Sequence, residues 1–278
     1  MKALWIYADA GGKSRIKPLP LAITKIKKPL DPEIFRRQAR GENVGHPRLF
    51  PSTGLRSMRV VGERNDAWHS AECRQLVFVV AGRIELTVGD GSTSVLAPGD
   101  LFFEDDTSGQ GHRLRYIGDC RLLFLGVADS WLPEGEFIAE TAEASSHQDK
   151  EPLLRCMYTA ADSKAYFRPF DELFAAASDQ SSGARPTVGF HFVHFPPGSF
   201  IDWHPEGVNN FVVVMTGKLE LEVSGDRAVE TFGPGDVCLA ADRTGEGHID
   251  RAHGDLRVAL VVLEDQHLWI APGDTRHR

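Results

Sequence analysis

An internal repeat constrains the fold of this chain more than any other feature. Gly82 and Gly217 are 135 residues apart, and each is followed by a basic residue and an alternating segment, RIELTV or KLELEV. The segment APGDLFFEDDTSGQGH at 97–112 matches GPGDVCLAADRTGEGH at 233–248 with an offset of 136. Because separate elements recur twice in the same order, the chain is predicted to be a duplication of one structural unit.

Each copy has the pattern of an all-β unit. RIELTV and KLELEV alternate apolar and polar residues, which is typical of a strand with one face toward a core. LVFVVAG and FVVVMTG are short β-rich runs that end at glycine, as buried strands do. APGD and GPGD are turn sequences. Helix signals are confined to short pieces such as DPEIFRRQA and PFDELFAAAS. Many short strands at regular spacing predict a sandwich or barrel in each copy.

The repeat also suggests where the units begin and end. We expect an N-terminal barrel over residues 1–138, a linker over 139–152 and a C-terminal barrel over 153–278. The predicted linker, AETAEASSHQDKEP, is small, polar and charged, as exposed connections are.

Composition is that of a packed globular protein, with 42% apolar and 25% charged residues. No apolar run approaches the ~20 residues of a membrane helix, and the N-terminus lacks the apolar region of a signal peptide. The four cysteines are widely spaced and form no CxxC pair. They are predicted to be buried free thiols in a reducing compartment, so a cytoplasmic location is expected.

Charge is unevenly distributed along the chain. The formal net charge is −8, yet residues 1–50 contain 11 Lys and Arg against 4 Asp and Glu. This basic N-terminal segment fits either an anionic partner or an ordinary solvated surface. A nucleic-acid-binding protein would carry a broader basic face, so no nucleic-acid partner is expected.

The repeated motifs resemble those of the cupin superfamily. Each copy has a histidine before a strand, an acid or amide seven residues before a glycine, the tripeptide PGD, and GxxH. Two such copies in one chain resemble a bicupin. The resemblance implies two tandem jelly-roll β-barrels. It also implies a divalent metal held in the usual cupin site by three histidines and one glutamate.

In the C-terminal copy, the resemblance places His204, Glu206, Asn210 and His248 at the four ligand positions. His204 and Glu206 are two residues apart on a strand and therefore face the same side. His204, Glu206 and His248 form a two-histidine, one-carboxylate set that suits Fe(II) first, and also Mn, Zn or Ni. Asn210 is either a weak fourth ligand or a group that orients substrate. His204, Glu206 and Asn210 are the candidate catalytic residues. The alternative is an ordinary ion pair between His204 and Glu206.

In the N-terminal copy, the same four positions hold His69, Ala71, Gln75 and His112. Two neutral histidines and an amide supply no negative charge, so a metal site at His69, Gln75 and His112 should be weaker. The alternative is a polar pocket that holds a small ligand without an ion.

Basic residues also occupy matching strand positions in both copies. Arg56 and Arg59 have the same offsets as His191 and His194. One residue of each pair can face the barrel interior and contact an anionic substrate, because residues three apart on a strand lie on opposite faces.

These observations predict a metal-dependent enzyme that acts on a small organic substrate in the C-terminal barrel, with an anionic molecule among the candidates. By resemblance it would be an oxidoreductase of dioxygenase type, with isomerase or lyase chemistry ranked lower. One alternative is a bicupin that binds a small molecule without a metal and catalyses nothing. Another is metal-independent acid–base catalysis by His69 or His204. No membrane partner is expected, and the resemblance allows a homodimer through exposed strand edges.

Overall fold

The computed structural model describes residues 1–26, 37, 49–138, 151–175 and 183–264. In these residues the chain is built almost entirely of strands, and the described helix, α1 (Glu172–Ala175), is one turn long. The strands are β1 (Ala3–Ala8), β2 (Ser14–Pro18), β3 (Pro20–Leu21), β4 (Ile23–Lys25), β5 (Phe50–Val60), β6 (Arg64–Asn65), β7 (Gln75–Thr87), β8 (Thr93–Leu96), β9 (Leu101–Asp105), β10 (Arg113–Val127), β11 (Glu136–Phe137), β12 (Leu154–Thr159), β13 (Ala165–Pro169), β14 (Thr187–Phe195), β15 (Phe200–His204), β16 (Asn210–Val223), β17 (Val229–Phe232), β18 (Val237–Ala241) and β19 (His248–Leu263).

The chain forms two compact units whose boundaries interleave. The first unit contains residues 1–22, 51–152 and 174–185, and the second contains 23–50, 153–173 and 186–278. Strand β4 explains why a segment near the N-terminus belongs to the second unit, because β4 pairs in parallel with β14 of that unit. The sequence-based division assigned this segment to the first barrel. Most of the predicted linker, residues 139–150, lies outside the described residues, so the linker stays a prediction.

The two units share one strand order, which confirms the predicted duplication and the all-β jelly-roll fold. In the first unit, β9 pairs in parallel with β1 and antiparallel with β7, and β7 continues to β10 and then β5. In the second unit, β18 pairs in parallel with β12 and antiparallel with β16, and β16 continues to β19 and then β14. Each central strand therefore has a counterpart at the same place in the other unit.

Each unit has its own apolar core on the inner face of these strands. In the first, Val77, Val79 and Phe102 are fully buried, and in the second, Val214 and Phe232 are. Full burial of such side chains stabilises a fold by about 1.5–3 kcal/mol each. Polar residues on the same inner faces are therefore unusual, and they are where a functional site is expected.

The predictions for the cysteines, the helix signals and a membrane helix can also be compared with the structure. All four cysteines are free, and three of them are buried, but Cys73 is exposed, so the prediction of burial is wrong for that residue. The helix signal in PFDELFAAAS is confirmed at α1, whereas DPEIFRRQA lies outside the described residues except for Arg37. Within the described parts of the chain, no helix is long and apolar enough to cross a membrane.

Candidate metal centre

A close backbone contact brings the two motif histidines of each unit together. In the second unit, His204 on β15 pairs in register with His248 on β19. In the first, His69 and His112 exchange two backbone hydrogen bonds of 3.0 and 2.8 Å. The residue before the second histidine is glycine in both units. At Gly247, φ is +78° and an added Cβ would lie 1.9 Å from the His204 carbonyl oxygen.

Replacing Gly247 with alanine is expected to separate the two histidines and destabilise the second unit. Gly198 offers a matched control, because its φ is +79° but nothing lies within 4 Å of an added Cβ. Gly198→Ala should cost about 1–2 kcal/mol through left-handed backbone strain alone. Gly247→Ala should cost at least ~2 kcal/mol more through steric overlap. Urea unfolding of both variants measures the difference, and equal losses would contradict the close contact.

Three side chains of the second unit converge closely enough to share one cation. His204, His248 and Asp250 each offer a ligand atom, and all three atoms lie within 4.8 Å of one another. The Nε2 atom of His248 is 3.4 Å from Asp250 Oδ1, and Nε2 of His204 is 3.7 Å from Asp250 Oδ2. Among the described residues, this is the one group of three histidine, cysteine or carboxylate side chains with such spacing.

The other ring nitrogen of each histidine is held by an acceptor. Nδ1 of His204 donates to the carbonyl oxygen of Asp202 at 2.9 Å, and Nδ1 of His248 donates to Asp242 Oδ2 at 2.8 Å. An acceptor at Nδ1 fixes the tautomer that leaves the Nε2 lone pair for a metal, as in most histidine metal sites. Although it is buried, His248 Nε2 forms no hydrogen bond within the described part of the chain. Both imidazoles are thus oriented for ligation through Nε2.

Glu206 and Asn210 lie beside this group rather than at its centre. Glu206 Oε1 is 4.0 Å from His248 Nε2. Its other oxygen, Oε2, accepts a hydrogen bond of 3.2 Å from Asn210 Nδ2. Of the two carboxylates, Asp250 is therefore closer to the histidines, and Glu206 adjoins them from one side.

The electrostatics of the second unit favour a positive charge at His248. Burial opposes the charged imidazole, but Asp242 and Asp250 outweigh it and raise the pKa of His248 above its usual value. Burial also opposes ionisation of Asp250, but His248 outweighs it and lowers that pKa. Burial raises the pKa of Glu206 to about 8. These directions favour a charged pair of His248 and Asp250, with Glu206 the carboxyl group that ionises less readily.

The corresponding place in the first unit is filled by a chain of side chains. Arg56 Nη2 donates to Gln75 Oε1 at 2.7 Å, and Gln75 Nε2 donates to Glu104 Oε2 at 2.6 Å. Glu104 Oε1 lies 3.4 Å from His112 Nε2, and Asp106 accepts from His112 Nδ1 at 3.0 Å. Both polar atoms of the Gln75 amide are therefore hydrogen-bonded within the protein, and Gln75 was one of the predicted ligands of the weaker site.

In the first unit, two carboxylates stabilise the protonated form of His112. Burial lowers the pKa of His112, but hydrogen bonds to Asp106 and Glu104 outweigh burial and raise it to about 10. His69 lies close by, with ring centroids 4.5 Å apart, but it is solvent-exposed, and its Nδ1 contacts the carbonyl oxygen of Ala67. The weaker metal site expected at His69, Gln75 and His112 stays a prediction.

Sequence reasoning missed two acidic residues, Asp250 and Glu104. Asp250 follows His248 by two positions on one strand, so the face argument applied to His204 and Glu206 could have found it. Glu104 had no comparable signal, because its position in the second copy is an alanine. Asp106 and Asp242 each lie six residues before a motif histidine in the sequence. Their carboxylates accept hydrogen bonds from the Nδ1 atoms of those histidines.

The basic strand residues are arranged as the alternation predicts. Arg56 contacts Gln75, whereas Arg59 lies 3.7 Å from the half-exposed Asp119. His191 is buried, at 8% exposure, and His194 contacts Asp255. In each unit, one member of the pair therefore faces inward. Contact with an anionic substrate stays a prediction.

A family model and several solved structures are similar to this chain. Residues 58–126 match the family model described as "Cupin domain". A cupin 2 conserved barrel domain protein from Leptotrichia buccalis is 13% identical, with a TM-score of 0.36, and the alignment covers 88% of this chain and 99% of that one.

Two further structures give similar values. An oxalate decarboxylase of Bacillus subtilis, whose description names Mn(II) centres, is 15% identical over 77% of this chain and 70% of its own, with a TM-score of 0.27. The protein YhaK from Escherichia coli is 12% identical over 86% and 92%, with a TM-score of 0.31. TM-scores of this size carry no argument about function. No curated protein matches the sequence.

Proposed function

Because the chain belongs to the cupin superfamily, we propose that it is a metal-dependent enzyme that acts on a small organic molecule in its C-terminal barrel. The ligands of the metal are His204, His248 and Asp250, with Glu206 beside them. The first barrel has a structural role or binds a second ligand. The reaction is of dioxygenase type or a related metal-assisted conversion.

One observation carries the proposal, namely the spacing of the three ligand atoms. Two atoms that each lie about 2.1 Å from a metal are about 3.0 Å apart at a right angle and about 3.4 Å apart at a tetrahedral angle. The distance of 3.4 Å from Asp250 Oδ1 to His248 Nε2 falls within this range, whereas the distance of 3.7 Å from Asp250 Oδ2 to His204 Nε2 exceeds it slightly. The buried Nε2 of His248, which lacks a hydrogen bond in the described residues, supports ligation there.

Two histidines and one carboxylate suit Fe(II), Mn, Zn or Ni and leave coordination positions open for substrate. A bound divalent metal supplies a Lewis acid that polarises a substrate oxygen. The protein fixes both imidazoles through Asp202 and Asp242. Glu206 and Asn210 form the polar wall next to the ligands, where they contact and orient the substrate.

A metal-free binding protein is the second candidate, and the charge pairs favour it. His248 lies between Asp242 and Asp250 at 2.8 and 3.4 Å, so its positive form is compensated without an ion. The first unit has the same kind of arrangement around His112. In this reading, both barrels hold small molecules and catalyse nothing.

Metal content separates the two candidates. The purified full-length protein, dialysed against Mn(II) or Fe(II), is expected to retain one ion per chain. Asp250→Asn should weaken metal binding about 10–100-fold, because the one carboxylate close to both Nε2 atoms loses its charge. Glu206→Gln should weaken it by less than about tenfold, since Glu206 approaches His248 alone.

Asp202→Asn is the matched control, because Asp202 is an exposed aspartate on the same strand as His204. It should bind metal like the unmodified protein, because His204 Nδ1 donates to the backbone carbonyl of residue 202, which the substitution retains. A protein that retains none of these ions contradicts the enzyme proposal and favours the metal-free one. A larger loss in Glu206→Gln than in Asp250→Asn would make Glu206 the ligand.

A further inference from the structure

The amide of Asn210 has an oxygen acceptor that no group in the described part of the chain uses. Its Nδ2 donates to Glu206 Oε2 and to the carbonyl oxygen of Val208, each at 3.2 Å. Its Oδ1 is buried and has no hydrogen-bond partner in the described residues. The opposite amide orientation is disfavoured, because Oδ1 would then face the Val208 carbonyl, which cannot donate. A buried acceptor left unsatisfied costs about 1–3 kcal/mol, so it calls for a partner.

The same position in the first unit shows what such a partner looks like. Gln75 occupies the place of Asn210, and its Nε2 likewise donates to a carboxylate, Glu104. There, however, the amide oxygen accepts from the guanidinium of Arg56 at 2.7 Å. The protein itself thus supplies the donor in the first barrel.

In the first unit, Arg56, Gln75 and Glu104 form a connected series of hydrogen bonds. The second unit carries smaller side chains at these positions. Ala240 replaces Glu104, His191 replaces Arg56, and Asn210 is one methylene shorter than Gln75. Asn210 lies on the inner face of β16, because the core residues Val212 and Val214 follow it at intervals of two and share that face. The inner face beside the metal ligands therefore lacks the side chains that fill it in the first unit.

We propose that the substrate of the second barrel supplies the missing donor, so that its own hydroxyl or amine group donates a hydrogen bond to Asn210 Oδ1. This inference rests on the proposed function, because a second group of the same molecule binds the metal. The substrate class is a small molecule with a metal-binding oxygen next to a hydroxyl or amino group, such as a 2-hydroxy acid. Asn210 is then a specificity-determining residue.

The free atom of the Asn210 amide decides which partner fits. Glu206 contacts the Nδ2 side of this amide, and His248, Asp242 and Asp250 lie around Glu206 in turn. An ether oxygen would be repelled by the buried acceptor Oδ1, whereas an O–H or N–H group can donate to it. A site that hydrogen-bonds a substrate hydroxyl discriminates strongly against the analogue that lacks one.

The test compares glycolate with methoxyacetate, which share a carboxylate but differ in the hydroxyl proton. Calorimetric titration of the full-length, Mn(II)-loaded protein is expected to show glycolate binding at least about tenfold more tightly, the effect of one hydrogen bond that satisfies a buried acceptor. Asn210→Leu, which lacks the acceptor, should lose this preference and keep its Mn(II). Asn210→Asp, which retains an acceptor, should keep the preference.

The Mn(II) measurement distinguishes failure of the proposed function from failure of the inference about Asn210. If the unmodified protein binds no Mn(II), the proposed function fails and this inference with it. If Mn(II) binds normally but glycolate does not bind, or binds no better than methoxyacetate, the inference alone is overturned. Loss of Mn(II) in Asn210→Leu would also overturn it, because Asn210 would then be a metal ligand.

Discussion

Replacing Glu104 with alanine is expected to lower the free energy of unfolding of the first unit by about 3–5 kcal/mol, the usual cost of removing one partner from a buried ion pair. Glu104 is 3% exposed and contacts both Gln75 and His112. Its removal leaves the Gln75 amide without an acceptor and removes one of the two carboxylates that compensate the buried imidazolium. Urea unfolding followed by circular dichroism measures the loss.

Glu63→Ala serves as the control for this prediction. The side chain of Glu63 is 66% exposed, and its contact with Arg115 is 3.7 Å long. Such exposed pairs contribute about 0–1 kcal/mol, so the variant should unfold almost like the unmodified protein. Glu104→Ala should retain its metal, because the first barrel is proposed to hold none. A loss of stability below about 1 kcal/mol would contradict the ion-pair network.

Much of the fold was predictable because strand patterns repeat. Alternation in RIELTV and KLELEV placed Ile84 and Leu221 in the cores, where both are buried. The glycines before His112 and His248 were visible as part of a motif, but their reason is a steric contact with a distant carbonyl. The assignment of strand β4 to the second unit was not predictable. This short strand pairs with Phe192–His194, more than 160 positions later in the sequence.

The candidate site was predictable only where it follows the family pattern. His204 and His248 were identified by position, and the structure brings them together. Asp250 occupies no position of that pattern, because its counterpart in the first copy is Leu114. Glu104 has Ala240 as its counterpart. The two barrels thus obtain their carboxylates from different strands, and a comparison of aligned positions overlooks both.

The central claim is that one barrel binds a metal ion and the other does not. His248 and His112 stand at matching positions, and each has an aspartate on Nδ1 and a carboxylate within 3.4 Å of Nε2. The two barrels differ in the first motif histidine, His69 or His204. His204 is buried beside Asp250, whereas His69 is exposed. The same substitution in both barrels therefore tests the claim with its own internal control.

The decisive measurement is the Mn(II) affinity of His248→Gln and His112→Gln, obtained by equilibrium dialysis, with folding verified by circular dichroism. His248→Gln should bind Mn(II) at least about 100-fold more weakly, because a ligand is lost from a three-ligand site. His112→Gln should bind Mn(II) within a factor of about two of the unmodified protein, because its network holds a proton rather than an ion. Unchanged affinity in His248→Gln, or a comparable loss in His112→Gln, would contradict the account.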